Sequence, residues 1–367
     1  MAQITLDGIA HAYGPRPKSD ADYALRPLHL VWQQGRAYAL LGPSGCGKTT
    51  LLNIISGLVQ PTVGRLLFDG QDVTAWPTER RNIAQVFQFP VIYDTMTVAE
   101  NLAFPLRNRG VAADKIKQRV GQIAEMLEMS AQLNTRAAGL TADAKQKISL
   151  GRGLVREDVS AVLFDEPLTV IDPHLKWQLR RKLKQIHHEL KLTLIYVTHD
   201  QVEALTFAEQ VVVMTRGRAV QIGSASDLFE RPQHTFVGHF IGSPGMNFLP
   251  ARADASGVSV AGRNVMAASQ QLGGAAAITL GVRPEYVTLV AAESPGAVPA
   301  VVTQAQDIGT YWLVSARVGN GVDASLVRAR LGIEQPIPKP GDAVWLSLIG
   351  THTCFYRNDE LIAGVAP

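Results

Sequence analysis

A chain of 367 residues with 46% apolar and 18% charged residues has ordinary globular composition and enough length for a large core and two domains. Its formal net charge of +3 is small, and no long Lys/Arg run marks a nucleic-acid patch, although the balance alone argues neither for nor against that partner. Two cysteines, Cys46 and Cys354, exclude a disulfide framework, and no run approaches the ~20 apolar residues that span a bilayer.

Met1–Asp7 lacks a basic start followed by an apolar stretch, so no secretory signal is expected. The expectation is a soluble, cytoplasmic chain in a reducing compartment that meets a membrane only through a partner.

From the start to about residue 240, apolar runs alternate with helix-like patterns. Ala37–Leu41, Ala161–Phe164, Leu194–Val197 and Val211–Met214 read as strands buried on both faces of a parallel sheet. Asp114–Met129 and Lys176–Leu190 read as helices, which makes this part an α/β domain. Ile241–Gly245 reads as a linker or turn. Short strand-like runs follow at Ala277–Leu280, Thr310–Val318, Ser325–Leu331, Ala343–Ile349 and Thr353–Tyr356, and turns such as Gly319-Asn320-Gly321 and Lys339–Asp342 punctuate them. They predict a small barrel. The Ala/Gly/Ser-rich tract Ala251–Ala277 has no clear assignment.

Gly42-Pro43-Ser44-Gly45-Cys46-Gly47-Lys48-Thr49 matches G-x-x-x-x-G-K-[ST]. It lies between an apolar strand and a helix-like segment, Thr49–Ser56, that stops at Gly57. Glycines let backbone wrap the phosphate oxygens of a nucleoside triphosphate, and N–H groups at the helix start, continuing to Thr50, supply partial positive charge. Lys48 faces the β- and γ-phosphates and Thr49 holds Mg²⁺. The competing reading, a chance Gly-rich turn, does not explain the flanking strand and helix. Ala161–Glu166 is an apolar strand ending in two carboxylates: Asp165 stands where such NTPases bind Mg²⁺, and Glu166 can polarise the attacking water. His199 ends another apolar run, and Gln88 follows Val86-Phe87. Either alone means little; their order along the chain raises both.

With those residues in that order, the chain resembles the ATPase subunit of an ABC transporter over nearly its whole length. The resemblance implies a P-loop NTPase domain over residues 1–238, with a helical subdomain at about 89–160, and a C-terminal small β-barrel of TOBE/OB type over 239–367. It makes Gln88 the Q-loop residue that contacts Mg²⁺ or the water and senses the membrane partner. Thr169-Val170-Ile171-Asp172 becomes the D-loop and His199 the switch histidine at the γ-phosphate. Tyr13 becomes the aromatic that stacks on adenine. Pro15–Tyr23 reads as an insertion, so Tyr23 competes for that role, and a purely structural tyrosine is the third reading. Phe240–Phe248 and Gly281-Val282-Arg283-Pro284-Glu285 resemble the importers of sugars, polyols and glycerol phosphates, although a solvated turn also accounts for Arg283–Glu285.

The family's signature Leu-Ser-Gly-Gly-Gln, which meets the nucleotide on the opposite subunit, is here Leu140-Thr141-Ala142-Asp143-Ala144. A carboxylate facing a triphosphate is repelled by roughly 1 kcal/mol at about 4 Å in bulk water and more in a shielded interface. Alternatively Asp143 turns outward and the backbone still binds phosphate. The weakened reading predicts a heterodimer with a second ATPase. Permease subunits dock near Gln88, where Phe89–Met96 forms either a groove or core, and a solute-binding protein acts indirectly. The expected role is a transport ATPase on the cytoplasmic face of the plasma membrane, using ATP and Mg²⁺ to import a small polar solute, with glycerol as one cargo. A regulatory subunit and a soluble ABC ATPase acting on nucleic acid or ribosomes are the alternatives. One phosphate loop and no coiled-coil arm weigh against the latter, so no nucleic-acid partner is expected.

Overall fold

The computed structural model describes residues 1–14, 17–169, 171–272, 276–321 and 324–365, without the side chain of residue 174. Val170 of the Thr169–Asp172 stretch, Pro15 at the start of the expected insertion, and residues 273–275 of the unassigned tract lie outside the described residues. The chain divides into two compact units, Met1–Ala225 and Ser226–Pro367.

The first unit contains two sheets. β1 (Ile4–His11), β2 (Leu25–Trp32), β4 (Val63–Phe68) and β5 (Gln71–Asp72) form an antiparallel sheet in the order β2-β1-β4-β5. β3 (Ala37–Leu41), β6 (Ile83–Val86), β7 (Ala161–Asp165), β8 (Leu194–Thr198), β9 (Gln210–Thr215) and β10 (Arg218–Gly223) form the other, in the order β10-β9-β3-β8-β7-β6. It is parallel except for β10, so the carboxyl ends of β3, β6, β7 and β8 share one edge. Every residue of β3 and β8 is buried, the pattern of strands covered on both faces. Alternate residues serve opposite cores. Leu163, Ile195 and Val197 pack with α1 (Lys48–Ser56) and the antiparallel sheet, whereas Val162, Phe164 and Tyr196 pack with the helices of the other face.

Those helices are α3 (Val98–Arg107), α4 (Ala113–Met126) and α5 (Ala142–Leu154), inserted between β6 and β7, and α6 (Pro173–Leu190). A four-residue turn of helix, α2 (Thr78–Arg81), precedes β6, and α7 (Gln201–Phe207) follows β8. α1 ends at Gly57, φ +87°, as expected. The buried Arg81 closes that end, donating through Nη1 to the carbonyls of Ile54 and, at 3.2 Å, Ile55. α4 stops three residues earlier than its apolar spacing suggests. Glu128 turns left-handed at φ +58° and the Met129 amide reaches back to the Ala124 carbonyl at 2.7 Å, a Schellman closure. α6 starts three residues earlier than expected because Pro173 fits a first helical position, and the Lys176 amide bonds the Asp172 carbonyl.

In the second unit, α8 (Ala225–Glu230) and α9 (Thr235–Phe240) lead into β11 (Asn247–Asp254), β12 (Gly257–Val260), β13 (Arg263–Met266), β14 (Ala276–Val282), β15 (Thr288–Val290), β16 (Ala297–Asp307), β17 (Trp312–Val318), β18 (Ser325–Leu331), β19 (Ala343–Ser347), β20 (Cys354–Arg357) and β21 (Glu360–Leu361). They form two antiparallel sheets, β13-β12-β11-β14-β20-β21 and β15-β19-β16-β17-β18, sharing one core that includes Leu280, Val298, Val314 and Val327. The expected small barrel is present. The unassigned tract holds β12, β13 and the second half of β11. β18 is an edge strand, and Asn247 covers part of it: its amide donates to the Arg328 carbonyl and accepts from the Arg328 amide, both at 2.8 Å.

Arg283 is not in a solvated turn. It is 1% exposed, lies 3.9 Å from the Phe229 ring centroid, and donates to the carbonyls of Phe229, Ile241 and Leu228 at 2.5, 2.6 and 3.3 Å. It fastens the ends of α8 and α9 to β14.

Candidate nucleotide site

The phosphate loop joins β3 to α1. Gly47 stands at the N-cap with φ +102°, no side chain caps the helix, and its first turn carries no acid. Its front N–H groups therefore face a ligand without competition. A Cβ at Gly42 would lie 2.2 Å from the Met214 carbonyl oxygen, and one at Gly47 would lie 2.5 Å from that of Ala24. Sterics demand both glycines, and φ adds to the demand at Gly47. Lys48 is 5% exposed, and its Nζ donates to the carbonyls of Gly42 at 2.8 Å and Pro43 at 3.0 Å, drawing the loop around the ammonium. Cys46 packs inward with the apolar core and its carbonyl accepts from Gly217, so it supports the loop from beneath. Burial pushes its thiol pKa up. Pro43, Ser44, Gly45 and Thr49 are exposed around the rim.

β7 and β8 bring the acidic half to the same edge. Thr49 Oγ1 lies 3.4 Å from Asp165 Oδ1. Burial, then the neighbouring Glu166 charge, raises the Asp165 pKa, and the Thr49 hydroxyl and Lys48 oppose that shift. A hydroxyl and a carboxylate whose ionised form lacks compensation are hard oxygen donors suited to Mg²⁺. Glu166 takes left-handed φ +47°, held by its amide's bond to the Val197 carbonyl at 3.0 Å. Its Oε2 accepts from Thr169 Oγ1 at 3.3 Å and lies 3.0 Å from His199 Nδ1. Thr169's part in holding Glu166 was not legible, since its only local signal was membership of the Thr169–Asp172 stretch. Gln88 follows β6 by two residues, and the Val86–Phe164 pairing puts it on the same strand edge. Among the described residues it is not hydrogen-bonded to Asp165, Glu166 or Thr49.

Tyr13 is 68% exposed, packs edge-on against His11 with ring centroids 4.6 Å apart, and its hydroxyl lies 3.1 Å from Thr50 Oγ1. The ring stands beside α1 with a face open to stacking. Tyr23 is half-buried behind the turn Asp20–Asp22.

Thr141 caps α5, its hydroxyl accepting from the Ala144 amide at 3.4 Å, and Asp143 occupies the first turn. Asp143 is half-buried and lines a cavity of about 490 Å³ with Lys147, Trp177 and Lys182. Around Gln88 and on toward α3 lies an exposed row: Phe87 at 39%, Phe89 at 68%, Val91 at 54% and Tyr93 at 40%. α5 braces it. Arg152 sits 4.7 Å from the Tyr93 ring centroid and donates to the Val91 carbonyl at 2.8 Å, and Lys145 pairs with Asp94 at 3.0 Å.

The chain matches the ABC transporter family over residues 25–169, the MalK OB fold domain over 242–287 and the TOBE domain over 280–354. It is 37% identical over 352 residues to the sn-glycerol-3-phosphate import ATP-binding protein UgpC of Pectobacterium atrosepticum, spanning 95% of each chain. It is 39% identical to the protein of that name from Escherichia coli O157:H7, over 95% of this chain and 96% of the relative. Among solved structures, cbiO1 of Clostridium perfringens, part of the ABC transporter complex cbiONQ, aligns with a TM-score of 0.56 at 25% identity, covering 62% of this chain and 90% of that one.

Proposed function

This chain belongs to the ATP-binding subunits of ABC importers that carry MalK-type OB and TOBE domains, and we propose that it works through one productive nucleotide site shared with a second, non-identical ATPase. It is an ATP-binding, ATP-hydrolysing subunit that energises import of a small polar solute.

The contrast between two helix starts carries the asymmetric reading. α1 offers uncapped N–H groups beside Lys48, Thr49 and Asp165, whereas α5 is capped by its own Thr141 and bears Asp143. Gly42–Thr49 and Thr50 cradle the triphosphate, with Tyr13 against adenine. Thr49, Asp165 and Gln88 hold Mg²⁺, which when bound neutralises charge developing on the phosphoryl oxygens. Glu166 accepts from the attacking water and His199 donates toward the γ-phosphate. The exposed row Phe87–Tyr93 receives a short helix of the permease, as an apolar groove does for an amphipathic segment. Among the described residues no helix is long and apolar enough to cross a membrane. The chain's likeness to ATP-binding subunits of importers supports peripheral work on the cytoplasmic face of the membrane. Named relatives import sn-glycerol-3-phosphate, which supports a glycerol-like or phosphorylated polyol cargo delivered by a binding protein.

The test compares ATP turnover of the chain alone and of the importer assembled with a candidate second ATPase. The lone chain is expected to run at less than about a tenth of the pair's rate, and Lys48→Ala to lower the pair's turnover by about 100-fold. Ala142→Gly with Asp143→Gly should change the pair's rate by less than about twofold. Full turnover by the lone chain overturns the heterodimer. Full turnover by the Lys48→Ala pair moves catalysis to the partner and leaves this chain a regulatory role.

A further inference from the structure

Glu203 is a carboxylate in the wrong place for a surface helix. It lies on α7, immediately after β8, and is 4% exposed. A buried carboxylate is costly unless several donors meet it. Three do. Tyr196 Oη donates to Oε2 at 3.0 Å, Thr198 Oγ1 donates to the same oxygen at 2.8 Å, and Lys176 Nζ stands 3.9 Å from Oε1. Burial, and then the Glu203 charge, pushes the Tyr196 hydroxyl pKa well up, so it remains a donor.

This network surrounds the backbone that presents His199. Thr198 Oγ1, while donating to Glu203, accepts from the Asp200 amide at 3.0 Å. Asp200 Oδ1 in turn accepts from the amides of Val202 and Glu203 at 2.7 and 3.2 Å. The residues on both sides of His199 are thus pinned, while His199 itself is exposed and meets Glu166. Lys176 extends the network to the first turn of α6, whose amide bonds Asp172, and Lys184 adds a second tie from α6 to the Thr206 carbonyl of α7 at 2.8 Å.

We propose that Glu203 is a positioning residue for His199, fixing the peptide that carries the imidazole and tying it to the helix that starts at Asp172–Pro173. It touches no nucleotide and acts through Thr198 and Asp200. The proposal rests on His199 serving the hydrolytic step.

The test is a double-mutant cycle in the assembled importer, reading kcat and KM for ATP. Glu203→Met should lower kcat about tenfold with KM for ATP within about twofold, and Glu203→Gln, which keeps an acceptor oxygen, should recover most of the rate. In a His199→Ala background, Glu203→Met should cost nothing more; a tenfold additive loss would make Glu203 merely structural and overturn the proposal. If Glu203→Met fails to assemble, Thr198→Val, which removes one hydroxyl at near-constant shape, carries the same cycle. A damaged His199→Ala with an intact Glu203→Met removes only the positioning role. A fully active His199→Ala removes the hydrolytic reading of His199 and the proposal with it.

Discussion

Two helices in the first unit begin close to where nucleotide chemistry is expected, and they begin differently. α1 starts at a left-handed glycine with no side-chain cap, no acid in its first turn and a buried lysine one residue on. α5 starts at a threonine whose hydroxyl satisfies its own third amide and places an aspartate two residues on. A helix start that stabilises itself has less to offer an anion. A helix start built for a phosphate leaves its donors unspent and relies on the ligand to complete it.

The comparison can be broken most forcefully at Gly47. Gly47→Ala introduces a Cβ 2.5 Å from the Ala24 carbonyl at φ +102°, so the loop must shift. ATP affinity of the chain, read by calorimetric titration, should fall at least about tenfold; unchanged affinity would mean the open helix start does not hold the phosphates.

A smaller effect, on stability, is expected at Asp165, which stands over the first turn of α1. Its pKa is raised, chiefly by burial, from the ordinary 3.8. The ionised form is the one the fold disfavours, so stability falls as pH rises through the window between 3.8 and the raised folded value and stays reduced above it. Asp165→Asn should therefore raise Tm at pH 7 by about 1–3 °C while Mg²⁺-dependent turnover collapses. The Tm gain should disappear at a pH below the ordinary Asp value. A lower Tm at pH 7 would show that the carboxylate is structurally satisfied and not reserved for a metal.

Thr141→Ala sharpens the other side. It should cost about 1 kcal/mol of stability, visible as a Tm decrease of about 2–4 °C, through loss of the α5 cap. Turnover of the assembled pair should change by less than about twofold. A large loss of turnover would show that α5 serves a nucleotide after all.

What was legible in the sequence is what depends on near neighbours. The phosphate loop declares itself because glycines, lysine and threonine must stand at fixed spacing. β3, β7 and β8 declare themselves because burial on both faces leaves a continuous apolar run. The hairpin between β12 and β13 did not, because its two-residue loop is Ala261-Gly262, with φ of +49° and +78°. That geometry usually announces itself with Asn-Gly or Asp-Gly. β16 was hidden by Pro299, tolerated at a strand start where pairing with β17 begins only at Ala300. Arg283 read equally well as solvated, since nothing local says that carbonyls from residues 228, 229 and 241 converge on it. The left-handed turn at Glu166 was likewise invisible: it depends on a carbonyl of β8 and on His199, 33 residues away.

The amide of Asn247 has a consequence beyond its own strand. The outer margin of β18 presents main-chain groups with no strand beyond them among the described residues, and such margins recruit other polypeptides into spreading sheets. By offering Arg328 one donor and one acceptor, a single side chain imitates the neighbour that is missing. Arg328 and Arg330 add charge along the same margin. Replacing that amide with an aliphatic group would leave an adhesive seam, and the cost would show first as aggregation during synthesis at high concentration.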